Sequence, residues 1–134
     1  MNTEPTPEME MDWDIHNDHA EDEHSEMEAE TIRQRIAQLN DQFRARGLGN
    51  GWILGAHVRS LDAESLLQLL GKIQAFTGFP KNDPHNFGAV ELDRDEEYFW
   101  EIEYFDHEQK YQSADPSNPC VTRRVMTVMR ADEY

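Results

Sequence analysis

Two histidines stand among carboxylates in the second half of the chain: His85 beside Asp83, and His107 beside Asp106, with Asp115 further on. An imidazole next to a carboxylate is the minimum for general acid–base catalysis, and Arg123 or Arg124 could hold an anionic substrate nearby. All five residues fall in polar stretches between apolar runs, where catalytic groups are often carried. The bland explanation is that Asp83-Pro84 and Asp115-Pro116 are ordinary turn pairs. No glycine-rich phosphate loop, nucleophile elbow or His-Glu-x-x-His motif accompanies them. A small hydrolase or transferase using His85 with nearby carboxylates is therefore kept as an alternative, and no catalytic residue is assigned.

A second constellation is acidic. Glu101 and Glu103 alternate with Trp100, Ile102 and Tyr104, so they share one face if the segment is a strand, with Phe99 and Phe105 beside them, and Glu91 and Asp93 could lie across a hairpin from them. Carboxylates two residues apart on a strand repeat at about 6–7 Å. That interval resembles the phosphate repeat of a nucleic-acid strand, so a basic groove built for phosphates would accept such a row. The competing explanation is a solvent-facing strand that carries acids for solubility.

Three histidines, His16, His19 and His24, sit among acids near the N-terminus. Their spacing matches no structural zinc pattern, and no metal or cofactor is expected. Cys120 is the one cysteine, which excludes an intrachain disulfide and fits a reducing, cytoplasmic setting. It reads as a small buried core residue.

The charge is unevenly spread. The 134 residues carry −16 overall, yet residues 1–30 hold 12 acids and no Lys or Arg, whereas residues 31–134 hold 16 acids and all 12 bases. An arm of −12 is repelled by nucleic acid and by anionic lipid, so neither is expected as a direct partner. It is neither a signal peptide nor a membrane span. Met9, Met11, Trp13 and Ile15 alternate with acids in the arm, a pattern suited to a segment that folds on docking. Asp12, Trp13, Asp14, Glu21, Asp22 and Glu23 are its candidate partner-binding residues, alongside Glu91, Asp93, Glu101 and Glu103.

The elements that must position these groups follow from periodicity. Thr31 and Gln34 have capping-box spacing, and Ile32, Ile36, Leu39 and Phe43 form a stripe, which predicts a helix over 31–46 ended by Gly47. Trp52–Val58 reads as a strand. Asp62 is the expected N-cap of a helix to Phe76 whose inner face is Leu66, Leu69, Leu70, Ile73 and Phe76. Phe87–Leu92 and a strand around Tyr98, Trp100, Ile102 and Tyr104 form a hairpin, and Cys120–Arg130 is a last strand. The expectation is one α+β domain over 31–134: a small, mainly antiparallel sheet of about four strands with two helices on one face, preceded by an arm over 1–30 that is disordered or ordered by a partner.

Several runs carry a likeness to a known family: Asn82-Asp83-Pro84, His85-Asn86-Phe87-Gly88, Phe99-Trp100-Glu101-Ile102-Glu103-Tyr104-Phe105-Asp106, Asp115-Pro116 with Pro119, Thr122 through Met129, and Asp132-Glu133-Tyr134. In these the chain resembles domain-of-unknown-function family 3768, short proteobacterial proteins often encoded on plasmids, over roughly residues 31–134. Asn86 stands where the family tends to have Asp, and Glu101 where it often has Lys, which weakens an acid–base role there. The resemblance implies a fold and a mobile-element context, not a reaction.

Together these features favour an acidic binding protein that occupies the basic, nucleic-acid-binding surface of a partner. An anti-defence inhibitor, anti-CRISPR or anti-restriction, is its most concrete form. A regulatory interaction module, including a homodimer through the last strand, is a further alternative.

Overall fold

The computed structural model describes residues 7–93 and 96–134, with side chains from Ser25 onward. The chain divides into two compact units, Met1–Ile32 and Arg33–Tyr134, and the boundary falls inside the first helix, α1 (Pro7–Ala45). The expected capping box at Thr31 is not used. The Thr31 hydroxyl donates to the Met27 carbonyl 3.0 Å away, one turn back, so the helix passes through this position without starting there.

Within the second unit, β1 (Trp52–Leu54) is followed by a single helical turn, α2 (Ala56–Arg59), and by α3 (Ala63–Gln74). The strand expected to reach Val58 therefore stops at Gly55, and Val58 is buried from a helix. Asp62 caps α3 as expected, accepting the Ser65 amide at 2.7 Å. Strands β2 (Phe87–Glu91), β3 (Glu97–Phe105) and β4 (Arg123–Arg130) complete the element order, and a 3₁₀ turn over Ala131–Glu133 closes the chain.

The sheet order is β1-β4-β3-β2, with β1 parallel to β4 and the other neighbours antiparallel. The fold is α+β with a mostly antiparallel open sheet of four strands. β4 lies inside the sheet, between β1 and β3, so both of its edges are paired within the chain. The last strand also starts later than expected, and Cys120 is exposed in the loop before it, not buried in the core.

Alternation along β3 decides which face is buried. Tyr98, Trp100 and Ile102 are buried and meet Leu69 and Ile73 of α3, Phe43 of α1, and Met126 and Val128 of β4 in one core. Burying these large side chains is the main source of stability. The α1 stripe differs from its periodicity: Ile32 is exposed, while Asn40 and Arg44 are buried beside Phe43.

Exposed caps tie stability to pH. Hydrogen bonds from Ser65 hold the Asp62 carboxyl below its ordinary value. The Arg130 guanidinium does the same for Asp132 through a two-pronged contact at 2.8 Å. The amides of Arg130 and His57 lower Glu133. A carboxyl depressed in the folded state stabilises it above the unfolded value of about 4, and this is lost as pH falls through the lower folded value. The share of the urea midpoint that these three carboxyls supply should therefore stay level from pH 7 to about 5 and be lost below about 4. A double variant Asp62→Asn, Glu133→Gln should show a shallower fall, and an identical pH profile in both proteins would contradict this assignment.

Candidate functional site

The loop before β2 and the loop after β3 lie at the same end of the sheet. Asn86 accepts the Ile102 amide through its carbonyl at 2.7 Å, and Phe87 pairs with Glu101, so residues 81–86 sit beside the C-terminal half of β3. Asn40 of α1 joins the two loops from below. It is fully buried; its Nδ2 donates to the Pro84 carbonyl and to the Tyr104 hydroxyl, both at 2.9 Å, and its Oδ1 accepts from Arg124 Nε at 2.7 Å. Arg124 Nη2 then donates to the Pro116 carbonyl at 2.7 Å. One amide thus ties together 81–86, 106–119 and β4. Burial pushes the Tyr104 phenol up and the Arg124 guanidinium down, and hydrogen bonds within this network supply partners for both.

The next residue along α1, Asp41, meets His85. Nδ1 of His85 lies 3.0 and 3.2 Å from the two Asp41 oxygens, and a carboxylate can only accept, so Nδ1 carries the proton. Nε2 is left without a hydrogen-bond partner among the described residues, which is the arrangement of an oriented base. The ring is held by stacking on Phe79 at 3.9 Å and 10°. His85 has φ 64°, a left-handed backbone that is uncommon outside glycine, although histidine enters it more readily than most residues. The Asp83 carboxylate accepts the His85 amide at 2.7 Å and helps fix that conformation.

Arg44 backs this pair. It donates to Asp41 at 2.6 Å and to the Ile73 carbonyl at 2.8 Å, and its guanidinium lies 4.8 Å from the Trp100 ring centre. Arg44 therefore closes the end of α3 from another helix instead of serving its own C-terminus.

The other carboxylates expected near a catalytic histidine are turn formers. Asp106 accepts the Lys110 amide, and Asp115 accepts both the amide and hydroxyl of Ser117. His107 binds the Cys120 carbonyl and not an acid. The structure thus brings His85 together with Asp41, a carboxylate not singled out from the sequence. Asp41 lies in a helix 44 residues away, so no local spacing connects the two.

The acidic row is altered by register. Glu91 faces Glu97, Glu101 lies between Phe87 and Thr127, and Glu103 faces Val125. Glu91 and Asp93 are therefore not opposite Glu101 and Glu103; β2 pairs with the first half of β3, and Asp93 is beyond the strand in the turn. The helices packed on the sheet meet its other face. Glu101 is half-buried and Glu91, Glu97 and Glu103 are exposed, in a surface shared with Phe87, Phe99 and Tyr134, whose rings meet at 5.3–5.9 Å. The result is a mixed acidic and aromatic face. The side chains of Asp12, Trp13, Asp14, Glu21, Asp22, Glu23 and the three arm histidines lie outside the described ones. Among the described residues, no group of three His, Cys, Asp or Glu is placed to hold a metal, and no helix is long and apolar enough to cross a membrane.

A groove of about 720 Å³ opens elsewhere on the second unit, between the end of α1, the 47–51 loop and the start of β4. Neither Asp41 nor His85 lines it.

No curated protein and no solved structure matches the chain. A family model described as a protein of unknown function, DUF3768, matches residues 54–133. That span takes in the whole sheet from Leu54, together with α2, α3 and His85, but leaves out α1 and with it Asn40, Asp41 and Arg44. With well over half of its length so matched, the chain belongs to the DUF3768 family.

Proposed function

We propose that this protein is a binding protein whose acidic N-terminal segment engages a basic surface on a partner that itself handles nucleic acid. The observation that carries the reading is the segregation of charge: 12 acids and no Lys or Arg in residues 1–30, on a backbone that is helical from Pro7. Glu8 and Asp12, Asp14 and Asp18, Asp18 and Asp22, Asp22 and Glu26, and Glu26 and Glu30 each stand four apart. Like charges at that spacing weaken an isolated helix, and a cationic partner would reverse the sign of their contribution. Glu91, Glu97, Glu101 and Glu103 add a second acidic surface, and Phe87, Phe99 and Tyr134 give it the aromatic anchors that protein interfaces favour. The mobile-element context of the family resemblance favours a bacterial defence complex as the partner.

The test is capture from bacterial lysate with the full chain and with a chain lacking residues 1–30. The full chain should retain a nucleic-acid-handling protein at low salt, lose it as salt shortens the screening length from about 10 to 3 Å, and release it to added duplex DNA. A partner retained equally by both chains, or one unaffected by salt and DNA, would sink the proposal.

The contact between Asp41 and His85 favours a second reading, acid–base catalysis by a small hydrolase or transferase. His85→Gln should then abolish turnover of an ester, phosphoester or peptide substrate that the unaltered protein cleaves. Cleavage that survives the substitution would exclude this role.

A further inference from the structure

The groove beside α1 gathers cations without acids among the described residues. Its lining includes Arg46, Arg123, Arg124 and His107, and no Asp or Glu. Three arginines therefore line one concavity, and no acid among the described residues does. Arg46 and Arg123 form no ion pair among the described residues. Arg124 is buried; its Nε and Nη2 are taken by Asn40 and Pro116, and its Nη1 has no hydrogen-bond partner among the described residues. Besides burial, the like charges of Arg35 and Arg46 act against Arg124. Cations held together without a counter-charge raise the energy of the empty site, and a bound anion would remove that penalty.

The rest of the lining fits more than a bare anion. The 47–51 loop runs Gly-Leu-Gly-Asn-Gly along one wall, and the backbone amides of Leu48, Gly49, Asn50 and Gly51 donate to no described acceptor. Gly51 has φ 91°, and a Cβ there would lie 2.7 Å from the Arg124 carbonyl, so only glycine lets the loop approach β4 this closely. Free amides on a glycine-rich turn are suited to phosphate oxygens. Trp52, half-buried, forms part of the wall and is braced by Phe43 at 6.3 Å and 22°. An aromatic wall of this kind accepts a planar base. The volume is that of a small-molecule site, within the usual range of about 300–1,000 Å³.

We propose that this groove binds a nucleotide, with its phosphates on Arg46, Arg123 and Arg124 and the 47–51 amides, and its base against Trp52. A small ligand is favoured over a nucleic-acid strand by range. Beyond about 8 Å at physiological salt an exposed charge is largely screened, so a mononucleotide feels the local arginines. A long polyanion would be repelled by the net charge of −16 that the protein carries. The assignment does not depend on the acidic segment or on any partner it binds.

The experiment is calorimetric titration of the full chain with ADP, UDP, inorganic pyrophosphate and a short single-stranded oligonucleotide. At least one nucleotide should bind at one per chain, more tightly than pyrophosphate, and Arg123→Gln and Arg46→Gln should each weaken it by about tenfold or more, about 1.4 kcal/mol. Both side chains are exposed, so the variants should keep the parent's urea midpoint, which is measured alongside. Four results would overturn the proposal: no nucleotide binding up to about 1 mM, pyrophosphate binding as tightly as the nucleotides, the oligonucleotide binding more tightly than either, or affinity unchanged in both variants.

Discussion

Asn40→Ala should destabilise the second unit by about 3–5 kcal/mol, the range for breaking a buried group that holds a charge. Three groups lose their partner at once: the Pro84 carbonyl, the Tyr104 hydroxyl and Nε of the buried Arg124. An unpaired buried polar group costs about 1–3 kcal/mol, and a charged one more. With total stabilities of about 5–15 kcal/mol, this single change brings a small domain close to unfolding. The urea midpoint with an unchanged m-value measures it. Asn40→Leu separates the two explanations, because it nearly preserves volume while removing every hydrogen bond. If Leu were tolerated and Ala were not, packing and not the network would be what Asn40 supplies. Asn40→Asp should lie between wild type and Ala, since it keeps a partner for Arg124 but turns a carboxylate toward the Pro84 carbonyl.

The network also explains what could be read from the chain and what could not. Periodicity found β3, because Tyr98, Trp100 and Ile102 alternate with polar or aromatic outer residues, and it found α3, because Asp62 caps a regular run of leucines. Both signals are local. Asn40 and Asp41 gave none, since an apolar stripe counts only apolar residues, and Arg44 read only as a cation suited to the last turn of its own helix. Their partners are Pro84, His85 and Ile73, 29 to 44 positions away, and no single-sequence pattern links such distances. Ile32 misled the same stripe by being apolar and exposed. β1 was lengthened for a related reason: Trp52 through Val58 is apolar enough for a strand, but Gly55 ends the parallel pairing with β4 and Val58 enters the core from a helical turn. The register of β2 on β3 was equally beyond local reading, because a short strand can pair with either half of a longer one and only the turn decides. That choice set Phe87, not Glu91, beside Glu101 and so broke the expected acidic row.

Gly88→Ala should be nearly as damaging as the loss of Asn40, for the opposite reason. Gly88 is paired with Trp100 across β2 and β3, and the indole lies against the glycine backbone: a Cβ at position 88 would sit 2.6 Å from three ring atoms. Trp100 is fully buried, with Arg44 over its ring and Phe76 and Phe79 at its edges, 5.8 and 5.9 Å away. The ring cannot swing aside without displacing these neighbours, so the added methyl must be accommodated by strain. Overpacking of a tight core costs about 1–3 kcal/mol and occasionally more, and this site has no slack. A smaller ring tests the cause. Trp100→Phe gives up packing but also removes an indole N–H that is buried without a hydrogen-bond partner, which offsets part of its own cost. In the double variant the alanine methyl should occupy space that the indole has vacated. The two losses should then sum to less than their separate values by about 0.5–3 kcal/mol, the coupling expected of residues in direct contact. Strictly additive losses in urea unfolding would mean that the clash is relieved elsewhere, and the glycine would have to be explained by backbone conformation. Coupling of the expected sign would show that the glycine of the His85-Asn86-Phe87-Gly88 run is set by the indole stacked against it. His85, three residues earlier and stacked on the same Phe79 that packs against Trp100, would then be positioned by the same cluster.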